Sequence, residues 1–212
     1  DNVATDNRMI ANVVGIFAMY SRNLRIERNL MARATGAAGM GLGAKESGNL
    51  QIRENAIVEN SVCIHLDNSP LQPEEWNMFA ENDVRGCDVG LSFQGIAERN
   101  RFTGNRFGDN DVQVRIEGGG DARAAEFSGN DWGDYAGYDL DGDGVGDLPY
   151  ELRSLAGDLS TRNPQLRLFR GSPAMWLVEI VGRVVPLFRP TTILVDPEPR
   201  LRLRPAGAAH AG

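Results

Sequence analysis

Five short stretches of this chain share one alternation of apolar and polar positions. They are Val14-Gly-Ile-Phe-Ala18, Ala38-Gly-Met-Gly-Leu42, Val62-Cys-Ile-His-Leu66, Val89-Gly-Leu-Ser-Phe93 and Val112-Gln-Val-Arg-Ile116. The first, third and fifth positions of each are apolar, and the second and fourth are mostly small or polar. Period-two alternation predicts half-buried strands. Successive stretches begin 24, 24, 27 and 23 residues apart. A strand-only repeat in the low twenties predicts a parallel β-solenoid, because one coil cannot bury its apolar face alone and stacked coils can. The inward ladders are then Val14/Ala38/Val62/Val89/Val112 and Ile16/Met40/Ile64/Leu91/Val114, and Cys63 and His65 face outward. An antiparallel sandwich is the alternative, though sandwiches seldom hold so regular a period.

Asparagines mark the same repeat. One column reads Asn7, Asn29, Asn55, Asn77, Asn105 and Asn130, and a second reads Asn12, Asn60, Asn82 and Asn110. Their amides suit turns, where they can bond backbone and the next asparagine and tolerate left-handed conformations. The Asn68–Glu75 segment holds two prolines and predicts a loop projecting from a coil. The coils are expected over 1–130. The chain opens in mid-repeat, so a truncated solenoid, or one capped by association, is expected.

Beyond the coils the pattern changes twice. Residues 131–150 are rich in glycine and aspartate, with Asp139, Asp141, Asp143, Gly144 and Asp147 spaced as in the first part of a calcium loop. Side chains of Asp139, Asp141 and Asp143, the Val145 carbonyl and Asp147 are the expected ligands of a structural Ca²⁺. Tyr150 stands where a helix-loop-helix sensor has its last glutamate. Residues 151–212 then form a third segment. Within it Ser172 and Pro173 predict a helix start, and the run to Val185 is apolar on nearly every face. Met175, Trp176, Leu177, Val184, Val185, Leu187 and Phe188 exceed what one packed face needs and predict a partner-binding surface. The run is too short to span a bilayer.

Charge separates these parts. Residues 1–150 carry 13 Lys+Arg and 24 Asp+Glu, net −11; residues 151–212 carry 9 and 5, net +4. The acidic body argues against nucleic acid. The basic tail suits an anionic membrane surface or an acidic partner. Two cysteines, Cys63 and Cys87, are too few for a disulfide scaffold, but one bridge is possible in an oxidising compartment. It would close a loop of about 24 residues and contribute on the order of 3 kcal/mol. Alternatively Cys63, His65 and Cys87 hold a soft metal ion such as copper, or the thiols are unrelated.

Asn-rich coils placed directly before Asn130-Asp-Trp-Gly-Asp-Tyr and Asp139-Leu-Asp-Gly-Asp-Gly, followed by Ser172-Pro-Ala-Met175, Arg189-Pro190 and Val195-Asp-Pro197, resemble the NosD family. The resemblance implies a right-handed parallel β-helix in the periplasm, with its signal peptide removed or lying outside this sequence. It also implies work beside the membrane and ATPase subunits of an ABC transporter, in maturation of the copper enzyme nitrous oxide reductase, with a copper chaperone as a further partner. The family is expected to extend further at the N-terminus. A carbohydrate lyase, epimerase, hydrolase or binding module is the rival class, since β-helices often act on polysaccharides. The outward strand positions hold no carboxylate pair for acid–base chemistry, which favours a non-enzyme.

Overall fold

The computed structural model describes residues 2–118, 121–154 and 191–201. Each coil contributes three short strands. The first coil has β1 (Asn2–Thr5), β2 (Arg8–Ile10) and β3 (Val14–Met19), and the second has β4 (Leu24–Glu27), β5 (Leu30–Ala32) and β6 (Met40–Lys45). The third has β7 (Gln51–Arg53), β8 (Ala56–Val58) and β9 (Val62–Asp67), and the fourth β10 (Asn77–Ala80), β11 (Asp83–Arg85) and β12 (Val89–Gln94). The fifth has β13 (Asn100–Thr103), β14 (Arg106–Gly108) and β15 (Val112–Glu117), and β16 (Glu126–Ser128) and β17 (Asp131–Trp132) begin a further turn. Strands of the same rank pair in parallel, giving three sheets that run the length of a β-solenoid of about five turns. The expected all-β parallel solenoid is therefore the observed fold.

The interior is filled in columns. Ile26, Ile52, Phe79, Phe102 and Phe127 line one sheet and Met31, Ile57, Val84, Phe107 and Trp132 a second, all buried. The rings of Phe79, Phe102 and Phe127 stack at 4.5 and 4.9 Å, and those of Phe107, Trp132 and Tyr150 at 4.6 and 4.4 Å. Identical columns let flat rings stack at the strand spacing, so the core is aromatic toward its C-terminal end.

The asparagine column is a continuous ladder, but its membership differs from the sequence reading. It runs Asn7, Asn29, Asn55, Asn82, Asn105 and Asn130, each Nδ2 donating to the next Oδ1 at 2.8–3.1 Å. The backbone N–H of each donates to the same oxygen. Asn82 therefore takes the place expected for Asn77, because the Asn68–Glu75 insertion precedes Asn77 and lengthens that coil. Asn77 joins a separate row, donating to Asn100 at 3.2 Å. The left-handed conformation falls on the residue before each ladder asparagine, as at Asp6, Arg28, Glu54, Glu81, Gly104 and Gly129, and not on the asparagine itself.

One further expectation is corrected. Val14 pairs with Met40 and Ile16 with Leu42, so the second coil is shifted by two residues from the assumed alignment. The cause is a wider turn at Gly36, where the chain takes φ +95° and Gly39 N–H bonds the Gly36 carbonyl. The Asn68–Glu75 segment is a loop anchored at both ends. Ser69 and Glu75 are buried, Glu75 tucks over Gly48 to pair with Arg22 at 3.0 Å, and Leu71, Pro73 and Glu74 between them are exposed. Beyond the coils, β18 (Tyr150–Ser154) pairs antiparallel with β19 (Thr191–Asp196).

That hairpin ends the ladder. Asp196, fully buried, accepts from Asn130 N–H at 3.1 Å, Asn130 Nδ2 at 2.8 Å and Trp132 Nε1 at 3.0 Å through Oδ2, and from Glu198 N–H through Oδ1. Every neighbour is a donor, so a carboxylate fits and an amide does not. Replacing Asp196 by Asn turns one donor onto another and is expected to cost roughly 2 kcal/mol, and Asp196→Ala more, because buried donors lose a charged acceptor. Urea unfolding of the two variants measures this, and unchanged stability would refute the capping role.

Candidate functional site

The acidic loop brings three of its predicted ligands together. One oxygen each from Asp139, Asp141 and Asp143 lies within 4.8 Å of the others. Gly142 and Gly144, both at positive φ, turn the backbone so that their N–H groups donate to Asp139 at 2.6 and 2.9 Å. Those bonds hold the Asp139 carboxyl below the usual carboxylate range. Asp141 is pushed up: the Asp143 amide acts to lower it, but is outweighed by the Asp143 charge and further raising contributions. Mutual repulsion of this kind is what a bound cation relieves. Asp147 stands apart from the trio, accepting from Leu140 N–H at 2.8 Å. Val145 forms a bridge to Arg200, and Gly146 N–H bonds the Pro199 carbonyl at 2.7 Å, so the loop is stitched to the chain segment that follows Asp196.

The cysteines are arranged differently from the copper reading. Cys63 and Cys87 are joined in a disulfide, and both are buried. Cys63 faces inward: a Cβ on Gly41, the preceding residue of its column, would meet Ile57, and one on Gly15 would meet Met31, both core residues. The ladder pairing skips this second strand position, Val62 pairing with Val89 and Ile64 with Leu91, so the strand bends there and two consecutive positions face in. His65, in contrast, lies on the outer face and is half-buried. Its imidazole is held below its ordinary pKa by burial, partly offset by Asp67 and Glu117. Cys63, His65 and Cys87 therefore do not converge, and neither sulfur is a free thiolate. Cys87 also fills an asparagine position. Asn60 N–H donates to Cys87 Sγ at 3.2 Å, and Cys87 N–H to Asn110 Oδ1 at 3.0 Å, as Ala34 N–H does to Asn60 at 2.9 Å.

The predicted partner-binding residues Met175, Trp176, Leu177, Val184, Val185, Leu187 and Phe188 lie outside the described residues. No helix among the described residues is long and apolar enough to cross a membrane. Carboxylates on the outer strand faces are matched with bases: Glu126 with Arg101, Asp83 with Arg85, Asp67 with Lys45 and Glu117 with Arg115. An open groove beside Trp76, lined also by Asn23, Arg25, Asn49, Gln51 and Met78, has no carboxylate in its lining. Sequence reasoning missed Asp196 and Tyr150 as closing residues. Tyr150 stacks on Trp132 and donates to Asp134 at 3.0 Å. The one available signal was an acid, Asp196, between apolar Val195 and a proline.

Fold and ladder together define a parallel β-solenoid closed at its C-terminal end by a returning hairpin. A family model described as "Periplasmic copper-binding protein (NosD)" matches residues 1–137, so the chain belongs to the NosD family. It is 34% identical over 142 residues to the "Probable ABC transporter binding protein NosD" of Pseudomonas aeruginosa, covering 66% of this chain and 32% of the relative. It is 31% identical over 132 residues to the protein of the same name from Stutzerimonas stutzeri, covering 60% and 29%. The matched region thus spans about a third of the curated relatives' length.

Because Cys87 occupies an asparagine slot, two double variants separate its roles. Cys63→Ala/Cys87→Ala is expected to lose about 3 kcal/mol for a bridge closing a loop of this length. Cys63→Ala/Cys87→Asn is expected to recover about 1 kcal/mol of it by restoring the ladder bond. Denaturant midpoints check both, and equal stability of the two variants would show that the ladder position contributes nothing.

Proposed function

We propose that this chain belongs to a non-catalytic periplasmic accessory protein that docks on an ABC transporter. In this reading it serves copper-site assembly of nitrous oxide reductase together with a copper chaperone, and lies peripheral to the membrane. The observation that carries the reading is the family match along the coils themselves. The relatives' names add transporter binding. The disulfide supports an oxidising compartment. Paired outer carboxylates and the carboxylate-free groove support a binding protein over a glycosidase, which needs two opposed carboxyl groups.

Docking is assigned to the apolar run containing Met175, Trp176, Leu177, Val184, Val185, Leu187 and Phe188. Since Thr191–Asp196 and the residues after it close the solenoid, the docking run is tethered at both ends to a rigid body. Exchanging residues 174–188 for a Gly/Ser linker while keeping 191–201 is expected to leave the fold intact and abolish capture by the detergent-solubilised transporter. Retained capture would place docking elsewhere.

Calcium is proposed as a structural ion held by Asp139, Asp141 and Asp143, with the Val145 carbonyl and Asp147 completing the shell after a small rearrangement. The ion would brace the loop that carries the Arg200 bridge. Titrating chelator-treated protein with calcium is expected to give one site, lost in Asp141→Asn/Asp143→Asn. An absence of heat up to millimolar calcium would remove the ion from this reading.

A further inference from the structure

A groove crosses the outer face of the first sheet, over the first four coils. Two rows of side chains line it. One row stands at the turn that enters the sheet and reads Asn23, Asn49 and Trp76. The bridge between Arg22 and Gly48, and the bond from Trp76 N–H to Asn49 Oδ1 at 3.4 Å, set these three side by side. The other row lies on the strands and reads Val3, Arg25, Gln51 and Met78, paired in that order. Leu50, between Asn49 and Gln51, is buried and gives the groove an apolar lining. The groove has a volume of about 600 Å³, and three strand spacings give it a length of about 14 Å. That volume falls within the range of small-ligand sites.

The polar groups lining this groove are ones the fold itself does not use. Ladder asparagines such as Asn55 are buried and bonded, whereas Asn23, Asn49 and Gln51 are exposed. Among the described residues the amides of Asn23 and Gln51, the Arg25 guanidinium and the Trp76 indole N–H have no hydrogen-bond partner. Asn23 and Asn49 take positive φ, but Arg28, Glu54 and Arg99 do so at other turns, so the turn does not require an amide. Trp76 is half-buried and is held from the far side. The Arg101 guanidinium lies over its ring, 5.1 Å from the centroid, and is fixed in turn by Glu126 at 2.6 Å. Arg101 belongs to the fifth coil, so the indole stands between it and the groove.

We propose that this groove binds an anionic oligosaccharide, a short pyranoside chain carrying carboxylates. A braced indole offers an apolar face to the C–H face of a sugar ring. Free primary amides carry donors and acceptors together, which suits neighbouring hydroxyls. Arg25 is the one cation in the lining, and its planar fork suits a carboxylate. No carboxylate of the protein competes there, although residues 1–150 are net −11. Other ligand classes fit less well. The strands β1, β4, β7 and β10 spend their backbone groups on one another, so an extended peptide cannot add to them as a strand. A single cation is too few for nucleic acid. The carboxylate could come from a uronic acid or from the lactyl group of a peptidoglycan strand, and the chemistry is shared. The proposal uses none of the residues assigned to docking or to calcium and stands apart from both.

The test titrates the full 212-residue chain, ¹⁵N-labelled, with trigalacturonate, with peptide-free glycan strands of peptidoglycan, and with a neutral chitin oligosaccharide. The Trp76 indole N–H signal is expected to move. The Trp132 signal, whose N–H is bonded to Asp196, should stay still and so report an intact closed end in every variant. The tighter of the two anionic chains names the source of the carboxylate. Trp76→Ala should weaken binding by roughly tenfold or more, and Trp76→Phe should restore most of it. Arg25→Gln should weaken both anionic chains about tenfold and leave the neutral chain unchanged. A Trp76 signal that none of the three moves at about 10 mM would overturn the site. So would unchanged affinity in Trp76→Ala, or a neutral chain that binds as tightly as the anionic ones. Tighter binding of an oligoglutamate peptide than of either anionic sugar would make this an acidic-peptide site and overturn the sugar assignment.

Discussion

Everything in this molecule is organised by the asparagine ladder and the carboxylate that ends it. Each ladder asparagine after Asn7 accepts two bonds from the coil below and gives its own amide protons to the next rung and to backbone carbonyls, as Asn55 does to Ile26 and Asn82 to Ile52. A buried side-chain amide is tolerable only when its groups are satisfied, and stacking at the strand spacing satisfies them without any side chain moving off its column. The ladder is directional, so it arrives at its last rung with donors to spare. Asp196 supplies acceptors alone, which is why the closing residue is an acid and the rest are amides.

Closure has consequences for the remainder of the chain. The residues that bring Asp196 into place also hold the acidic loop, through the Val145–Arg200 bridge and the Gly146–Pro199 bond. Loop, cap and the aromatic stack of Phe107, Trp132 and Tyr150 form one unit. A cation in the loop would thus act on the solenoid's end and through it on the segment assigned to docking.

The solenoid was legible because stacking repeats every coil, so its period survives in the order of residues. The acidic trio was legible for the related reason that a loop's ligands are near neighbours in sequence. Register was less legible. Met40 and Asn82 each lie one slot from where an even spacing puts them, because turns at Gly36 and at Asn68–Glu75 absorb extra residues with no mark on the strands themselves. The facing of Cys63 was misread, since alternation assumes a flat strand and this one bends at its small second residue.

The order of amino acids alone determined the coil, its approximate period, the polar rungs and the acidic loop, all of which depend on residues close together or recurring at similar intervals along the chain. Only the tertiary structure decided which residue ends the ladder, that Cys63 meets Cys87, and that His65 stands between Gly43 and Ser92 on the outer face, apart from the disulfide. Those pairings span separations set by turn lengths and by a strand bend, and neither leaves a periodic trace for the sequence to carry.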